Sequence, residues 1–322
     1  MDRRLTCAVA LAVALPACVA AAGGGRVKVQ VPDTAPPPSQ IAQLWIDPGA
    51  TPRDLFWEVG GKQYAPPADA VYALGHRDDA GFSVSHDVVG PDDTEWSATI
   101  GPEAQTETVV SRILWGLGYH EPPLYSLPSW KLDRGDGDLR VESEARFRHK
   151  LKHLTRLKEY WHWADTPFLG AREFRGLLVV MLMLNSSDLK DDDNSIDELK
   201  EPLDGAAKWF LVRDLGAALG RPGRLYPRRN WIDGFERQGF IRQVRGDRIV
   251  FDCTGRHQQI LEMIAPDDVR WAARQMARLT DAQWQDAFRA ADAIAARYIR
   301  GIKEKIDDGL ALRPDVRSAE DR

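Results

Sequence analysis

An acidic stretch, Asn185-Ser-Ser-Asp188-Leu-Lys190-Asp-Asp-Asp-Asn194, follows the apolar run Leu177–Leu184, and Arg213-Asp214-Leu-Gly216 follows a second apolar run, Trp209–Val212. Phosphoryl transfer needs side chains of these types in this order: a carboxylate beside the attacking hydroxyl, an amide oxygen shortly after it for a metal, and an Asp-x-Gly at a strand end for Mg²⁺. Asp188 would orient the acceptor hydroxyl and take its proton. Lys190 would steady the transferred group. Asn194 would offer a neutral oxygen to Mg²⁺ or Mn²⁺, hard cations that prefer oxygen ligands. Asp214 would bridge the metal to the phosphates of ATP, and Gly216 would permit the sharp turn that aims it.

Other chemistries fit less well. An EF-hand loop starting in this stretch would place Ile196 where Gly is required and Pro202 where the bidentate Glu is required. His120, His149, His153 and His162 have no zinc-type spacing with Cys. No Gly-x-Ser-x-Gly and no Gly-x-x-x-x-Gly-Lys motif occurs. Cys253 lies in a strand-like run and reads as a small apolar residue.

The elements that must position these residues are partly legible. Phe82–Val89 and Thr94–Ile100 read as strands around the turn Gly90-Pro-Asp-Asp93. In the second, Trp96, Ala98 and Ile100 alternate with polar residues, which predicts one apolar face. Gly101-Pro102 starts a helix whose Val109, Val110, Ile113, Leu114 and Leu117 share a side, with Gly118 as its stop. The basic stretch Glu142–Trp161 reads as a solvated helix, and Arg172–Leu184 as a buried one leading into the acidic loop. Phe240–Val244 and Arg248–Phe251 flank Arg245-Gly-Asp247 as a hairpin. The remainder reads as helical, with Asp267 and Thr280 as N-caps and Thr280 with Gln283 as a capping box.

The chain has 322 residues, 11 of them Trp, enough for a sizeable core. Its net charge of −5 gives no reason to expect a nucleic-acid partner. Residues 1–22 have a basic start, a short apolar run and an Ala-rich end. They read as a signal peptide directing the chain to a periplasmic or extracellular location. Leu15-Pro-Ala-Cys18 offers a lipid anchor at Cys18 as the second choice. No run is long and apolar enough for a transmembrane span. Gly/Pro-rich residues 23–43 read as a linker.

The blocks Glu95–Glu107, Ser111–Tyr119, Trp161–Phe168, Asn185–Asn194 and Trp209–Gly220 together resemble the atypical protein-kinase-like superfamily that includes HipA-like and CotH-like kinases, and within it an uncharacterised exported bacterial subgroup. The resemblance covers residues 80 to 260. It implies an α+β, two-lobed, protein-kinase-like fold: a strand-rich N-lobe with one helix over 44–130, a helical C-lobe over 131–322, and nucleotide between them. It carries the base role to Asp188, metal roles to Asn194 and Asp214, and the role of a helix carboxylate near the nucleotide to Glu107, with Glu103 the less favoured choice. In such folds the strand before that helix carries a Lys that pairs with this Glu. Here Thr99 stands at that place, with no Lys or Arg on the strand. Arg112, Lys131 or Lys62 could supply the cation from elsewhere, and Thr99→Lys would restore it. Two functions follow: Mg/ATP-dependent transfer to an unidentified phosphoacceptor, or a non-catalytic pseudokinase serving as an envelope-associated scaffold.

Overall fold

The computed structural model describes residues 29, 31–32, 34–78, 83–135, 137–149, 154–186, 189–203, 205–221, 229–253, 257–289 and 293–313. The signal segment, with Cys18, lies outside them, as does Asp188.

Twelve strands and eight α-helices form among the described residues. The strands are β1 (Val71–Asp78), β2 (Val84–Val89), β3 (Glu95–Ile100), β4 (Leu124–Leu127), β5 (Trp130–Asp133), β6 (Leu139–Glu142), β7 (Ala145–His149), β8 (Leu154–Arg156), β9 (Ser195–Leu203), β10 (Ala206–Leu211), β11 (Ile241–Arg245) and β12 (Arg248–Phe251). The helices are α1 (Pro38–Ile41), α2 (Pro102–Gly116), α3 (Arg172–Met183), α4 (Ile232–Arg237), α5 (Gln258–Leu261), α6 (Pro266–Met276), α7 (Asp281–Phe288) and α8 (Ala293–Leu310). The architecture is α+β. A seven-stranded sheet of order β4-β7-β3-β2-β1-β5-β6 precedes a mainly helical part, which also carries the sheet β10-β9-β8 and the hairpin β11-β12.

The alternation along β3 holds: Trp96 and Ala98 enter a small core with Tyr72, Tyr125, Trp130 and Phe147. The helix after it begins with Pro102 in its first turn, and Gly118, at φ +103°, follows its end. Thr280 and Gln283 form the expected capping box. At α6 the helix starts at Pro266, before Asp267, and the Asp268 carboxylate accepts from Ala265 N (3.0 Å).

Three expectations need correction. The basic stretch from Glu142 forms no helix; its described residues make strands β7 and β8. Ala145 and Phe147 face the small core while Arg146 and Arg148 face the other way, a period of two that the density of charge hides. The seven-stranded sheet therefore continues to His149, past a boundary at residue 130. The third correction concerns the Gly/Pro-rich linker: Pro38–Ile41 is helical, and Ile41 packs against the main core.

The main core joins α3, α6, α7 and α8, and α2 belongs to it through Val109, Val110, Ile113 and Leu114. Arg112, named above as a possible phosphate partner, is instead buried. Its Nε pairs with Glu58 Oε1 at 2.8 Å, and its other nitrogens donate to the carbonyls of Phe56, Asp286 and Ala287. Burial pushes the Glu58 carboxyl up to about 7 against the pull of Arg112. Arg112→Met takes the cation from the buried Glu58, which keeps only the Leu124 N donor, and takes one donor each from the carbonyls of Phe56, Asp286 and Ala287. Urea denaturation should show a loss of ~3–5 kcal/mol; a loss under ~1 kcal/mol would mean that the pair is not what joins these segments.

Candidate functional site

The polar face of the large sheet is built by register. Ser85, Thr99 and Arg146 lie side by side on β2, β3 and β7, and Ser97 pairs with Arg148. Ser85 Oγ and Thr99 Oγ1 are 2.9 Å apart, and Arg146 Nη2 donates to Thr99 Oγ1 at 2.7 Å. Glu107 comes down from α2 onto this face. Its carboxylate accepts from Arg146 Nε at 3.0 Å and pairs with Arg148. Burial alone would raise the Glu107 pKa; Arg146 and Arg148, with Arg213 near by, outweigh it and hold the carboxyl below its ordinary value. Glu107 thus has two cations, supplied by β7 rather than by β3. Lys62 and Lys131 are exposed and do not line the cavity described next.

One turn before Glu107, Glu103 accepts from Ser83 Oγ at 2.6 Å and pairs with Arg229. The Arg213–Asp214 segment closes the opposite side. It leaves β10 and turns at Asp214, whose φ of 55° is left-handed. The sharp turn is therefore made by Asp214 itself. Gly216 has no positive φ; a Cβ there would lie 2.6 Å from Glu103 Cβ, so glycine is needed for the close approach of α2.

These groups enclose a cavity of about 350 Å³, within the range of small-molecule sites. Its wall carries Arg146, Arg148, Lys190, Arg213 and Arg229 against Glu103, Glu107 and Asp214. Among the described residues Arg213 makes no hydrogen bond or ion pair. Burial, with Arg148 and Arg156 close by, holds its pKa well below the usual arginine value. An unpaired guanidinium in a wall with surplus positive charge is arranged for an anion.

Lys190 spans the floor: its Nζ is 3.2 Å from Asp193 Oδ2 and 3.2 Å from Asp214 Oδ2. Burial raises the Asp214 pKa from 3.8 to about 6; Lys190 opposes this and Asp193 adds to it. Two carboxylate oxygens thus converge on one cation. Oxygen-only donors suit Mg²⁺, which typically takes one or two carboxylates plus phosphate oxygens. Among the described residues no group of three or more His, Cys, Asp or Glu forms a fuller cage.

Of the residues expected from sequence, Lys190, Glu107 and Asp214 meet at the cavity, and Gly216 lies beside it. Asn194 does not line it. It is buried, and its Nδ2 donates to Trp161 O at 3.0 Å. Asp193, one residue earlier, makes the link toward Asp214. The Trp161–Trp163 block holds this loop: Trp163 N donates to Asp191 Oδ1 and Trp163 Nε1 to Lys190 O, while His257 lies 3.3 Å from Asp191. Arg146, Arg148, Arg213 and Arg229 were missed as site residues. The alternation Ala145, Phe147 against Arg146, Arg148 was the signal that could have found the first two. No helix of the described residues is long and apolar enough to cross a membrane.

No protein-family profile matches the chain, and no curated protein matches it. Among solved structures the chain is similar to a Helicobacter pylori proinflammatory kinase, CtkA, with 11% identity and a TM-score of 0.39, covering 77% of this chain and 95% of that one. So loose a likeness carries no argument about chemistry, which has to come from the site itself.

Proposed function

We propose that this chain is a kinase-like phosphotransferase that takes MgATP into the cavity between the large sheet and the Asp214 segment. One observation carries this reading: a cation-lined cavity whose Lys190 is held by Asp214 of the same wall and, from outside the lining, by Asp193, so that two carboxylates converge on a single positive charge. A nucleotide phosphate chain with its metal has the complementary pattern.

In this proposal Arg146 and Arg148, held in place by Glu107, contact the phosphates in place of a strand lysine. Arg213 adds a further donor. Fixed cations around an anion site lower the barrier because they need not reorient as charge develops. Asp214, with Asp193 in the role first given to Asn194, would hold Mg²⁺, which supplies charge neutralisation at the phosphates when bound. Lys190 then gives up its place between the two carboxylates and can face the transferred group. Asp188 keeps the proposed role of base toward an acceptor that is unidentified. Export through residues 1–22 belongs to the same proposal and rests on their sequence alone.

The test is calorimetric titration of the full chain with MgATP, followed by a radiolabel transfer assay on wild type and Asp188→Asn. Binding should require the metal, and Asp188→Asn should lose transfer while keeping binding. Binding without Asp188-dependent transfer would select the scaffold reading, which the absent strand lysine no longer favours now that Arg146 and Arg148 are paired with Glu107. No binding under any metal condition would sink the phosphoryl-transfer reading and leave the kinase-like resemblance as ancestry alone.

A further inference from the structure

Lys305 of α8 is 6% exposed and, among the described residues, forms no ion pair. Its Nζ donates to Met183 O, at the end of α3, at 3.2 Å and to Asn185 Oδ1 at 2.5 Å, and it lies 4.1 Å from the Phe235 ring centroid. A helix C-terminus and an aromatic face both attract a cation. Even so, burial pushes the ammonium down to about 7. An apolar side chain of similar volume would avoid that cost, so stability alone does not explain a lysine here.

What the ammonium grips does explain it. Asn185 stands in the left-handed region at φ 56°, at the exit of α3. Its Nδ2 donates to Gly220 O at 2.8 Å, and Leu219 N donates to Leu184 O at 2.9 Å. Leu219 is also left-handed, at φ 52°, and its carbonyl accepts from Tyr298 Oη at 3.0 Å. Tyr298 is seven residues before Lys305 on the same helix, so both project from one face.

We infer that Lys305 and Tyr298 are positioning residues: from one face of α8 they clamp Asn185 and Leu219, and thereby fix the segment bearing Lys190 and Asp193 against the segment bearing Asp214. The functional meaning of the clamp rests on the phosphoryl-transfer proposal; its geometry does not. Leu219 lies five positions after Asp214, and Asn185 lies five before Lys190 and eight before Asp193. A misplacement of about 1 Å between groups that must act together can cost ~10²-fold in rate.

The experiment is hydrogen–deuterium exchange on the full chain, reading peptides 189–194 and 213–221, in wild type, Lys305→Met, Asn185→Asp and Tyr298→Phe. Methionine keeps most of the side-chain volume without the charge. Lys305→Met should speed exchange in both segments by about 10-fold or more while β2 and β3 stay unchanged. Asn185→Asp keeps an acceptor for Lys305 but cannot donate to Gly220, so it should loosen 213–221 more than 189–194. In turnover of MgATP, Lys305→Met should lower kcat by ~10–100-fold with KM changed less than about 3-fold.

Unchanged exchange in both segments of a folded Lys305→Met protein would overturn the clamp. So would a uniform rise across the sheet, which marks general destabilisation. If Lys305→Met does not fold, Asn185→Asp and Tyr298→Phe decide by the same readout. If wild type neither binds nor turns over MgATP while exchange changes as expected, the clamp stands and the phosphoryl-transfer proposal falls.

Discussion

Alanine at Asp214 will abolish the metal-dependent part of nucleotide stabilisation without unfolding the protein. A ligand at a hundred times its Kd stabilises the native state by about 2.7 kcal/mol, a shift readily seen in a thermal melt. Asp214 is partly exposed and belongs to none of the apolar clusters of the described residues, so its removal leaves no core cavity. It does remove a carboxylate of the cavity wall and one of the two held by Lys190. A metal-dependent shift that survives in Asp214→Ala would place the metal elsewhere. The pH dependence follows from the same group. Its folded pKa, about 6, lies above the ordinary 3.8. A raised carboxyl contributes stability below the unfolded value and loses it as pH rises through the folded one. The metal-free protein should therefore lose this contribution between pH 3.8 and 6. Metal needs the carboxylate, so its stabilising effect should appear as pH rises through about 6 and weaken about tenfold in affinity for each unit below it. A metal effect independent of pH across that range would argue against Asp214 as ligand.

Arg146→Met will lower kcat/KM for MgATP by ~10²–10³-fold, the size expected when a fixed cation at transferring phosphates is lost. Arg148→Met should cost less, because Arg146 alone bridges Glu107 and Thr99. The same geometry reverses an expectation from sequence. Thr99→Lys was to supply a missing cation, but Thr99 is 5% exposed and its hydroxyl already accepts from Arg146. A lysine there would force a second positive charge against Arg146 and displace it from Glu107. Steady-state kinetics should show Thr99→Lys weaker than wild type. Tighter ATP binding in that variant would mean that Arg146 does not face the nucleotide.

The basic segment shows why part of the site was hidden from sequence. Charge at Arg146, Arg148, Lys150, Lys152, Arg156 and Lys158 suggested one face of a helix in water. In β7 Arg146 and Arg148 are the polar side of a two-sided strand whose other side, Ala145 and Phe147, is buried. Two apolar residues are too few to outweigh so much charge in a periodicity argument. Asn194 and Asp193 show a different limit. Spacing from Asp188 favoured an amide oxygen, but a one-residue step decides which side chain turns under Trp161 and which turns toward Lys190.

Sequence alone determined the local elements whose signals are short-range: the strand around Trp96 and Ala98, the helix opened by Pro102, the capping box of Thr280 and Gln283, and the acidic loop and Asp214 each following an apolar run. Those signals depend on backbone sterics and hydrogen bonds over a few residues, and the chain carries them locally. Which cation meets Glu107, why Gly216 must lack a side chain, and how Lys305 reaches Asn185 across 120 positions were decided only by tertiary structure. Each depends on the register of β3 with β7 or on the packing of α2 and α8, and those are set by burial summed over whole faces rather than by any residue's neighbours in the chain.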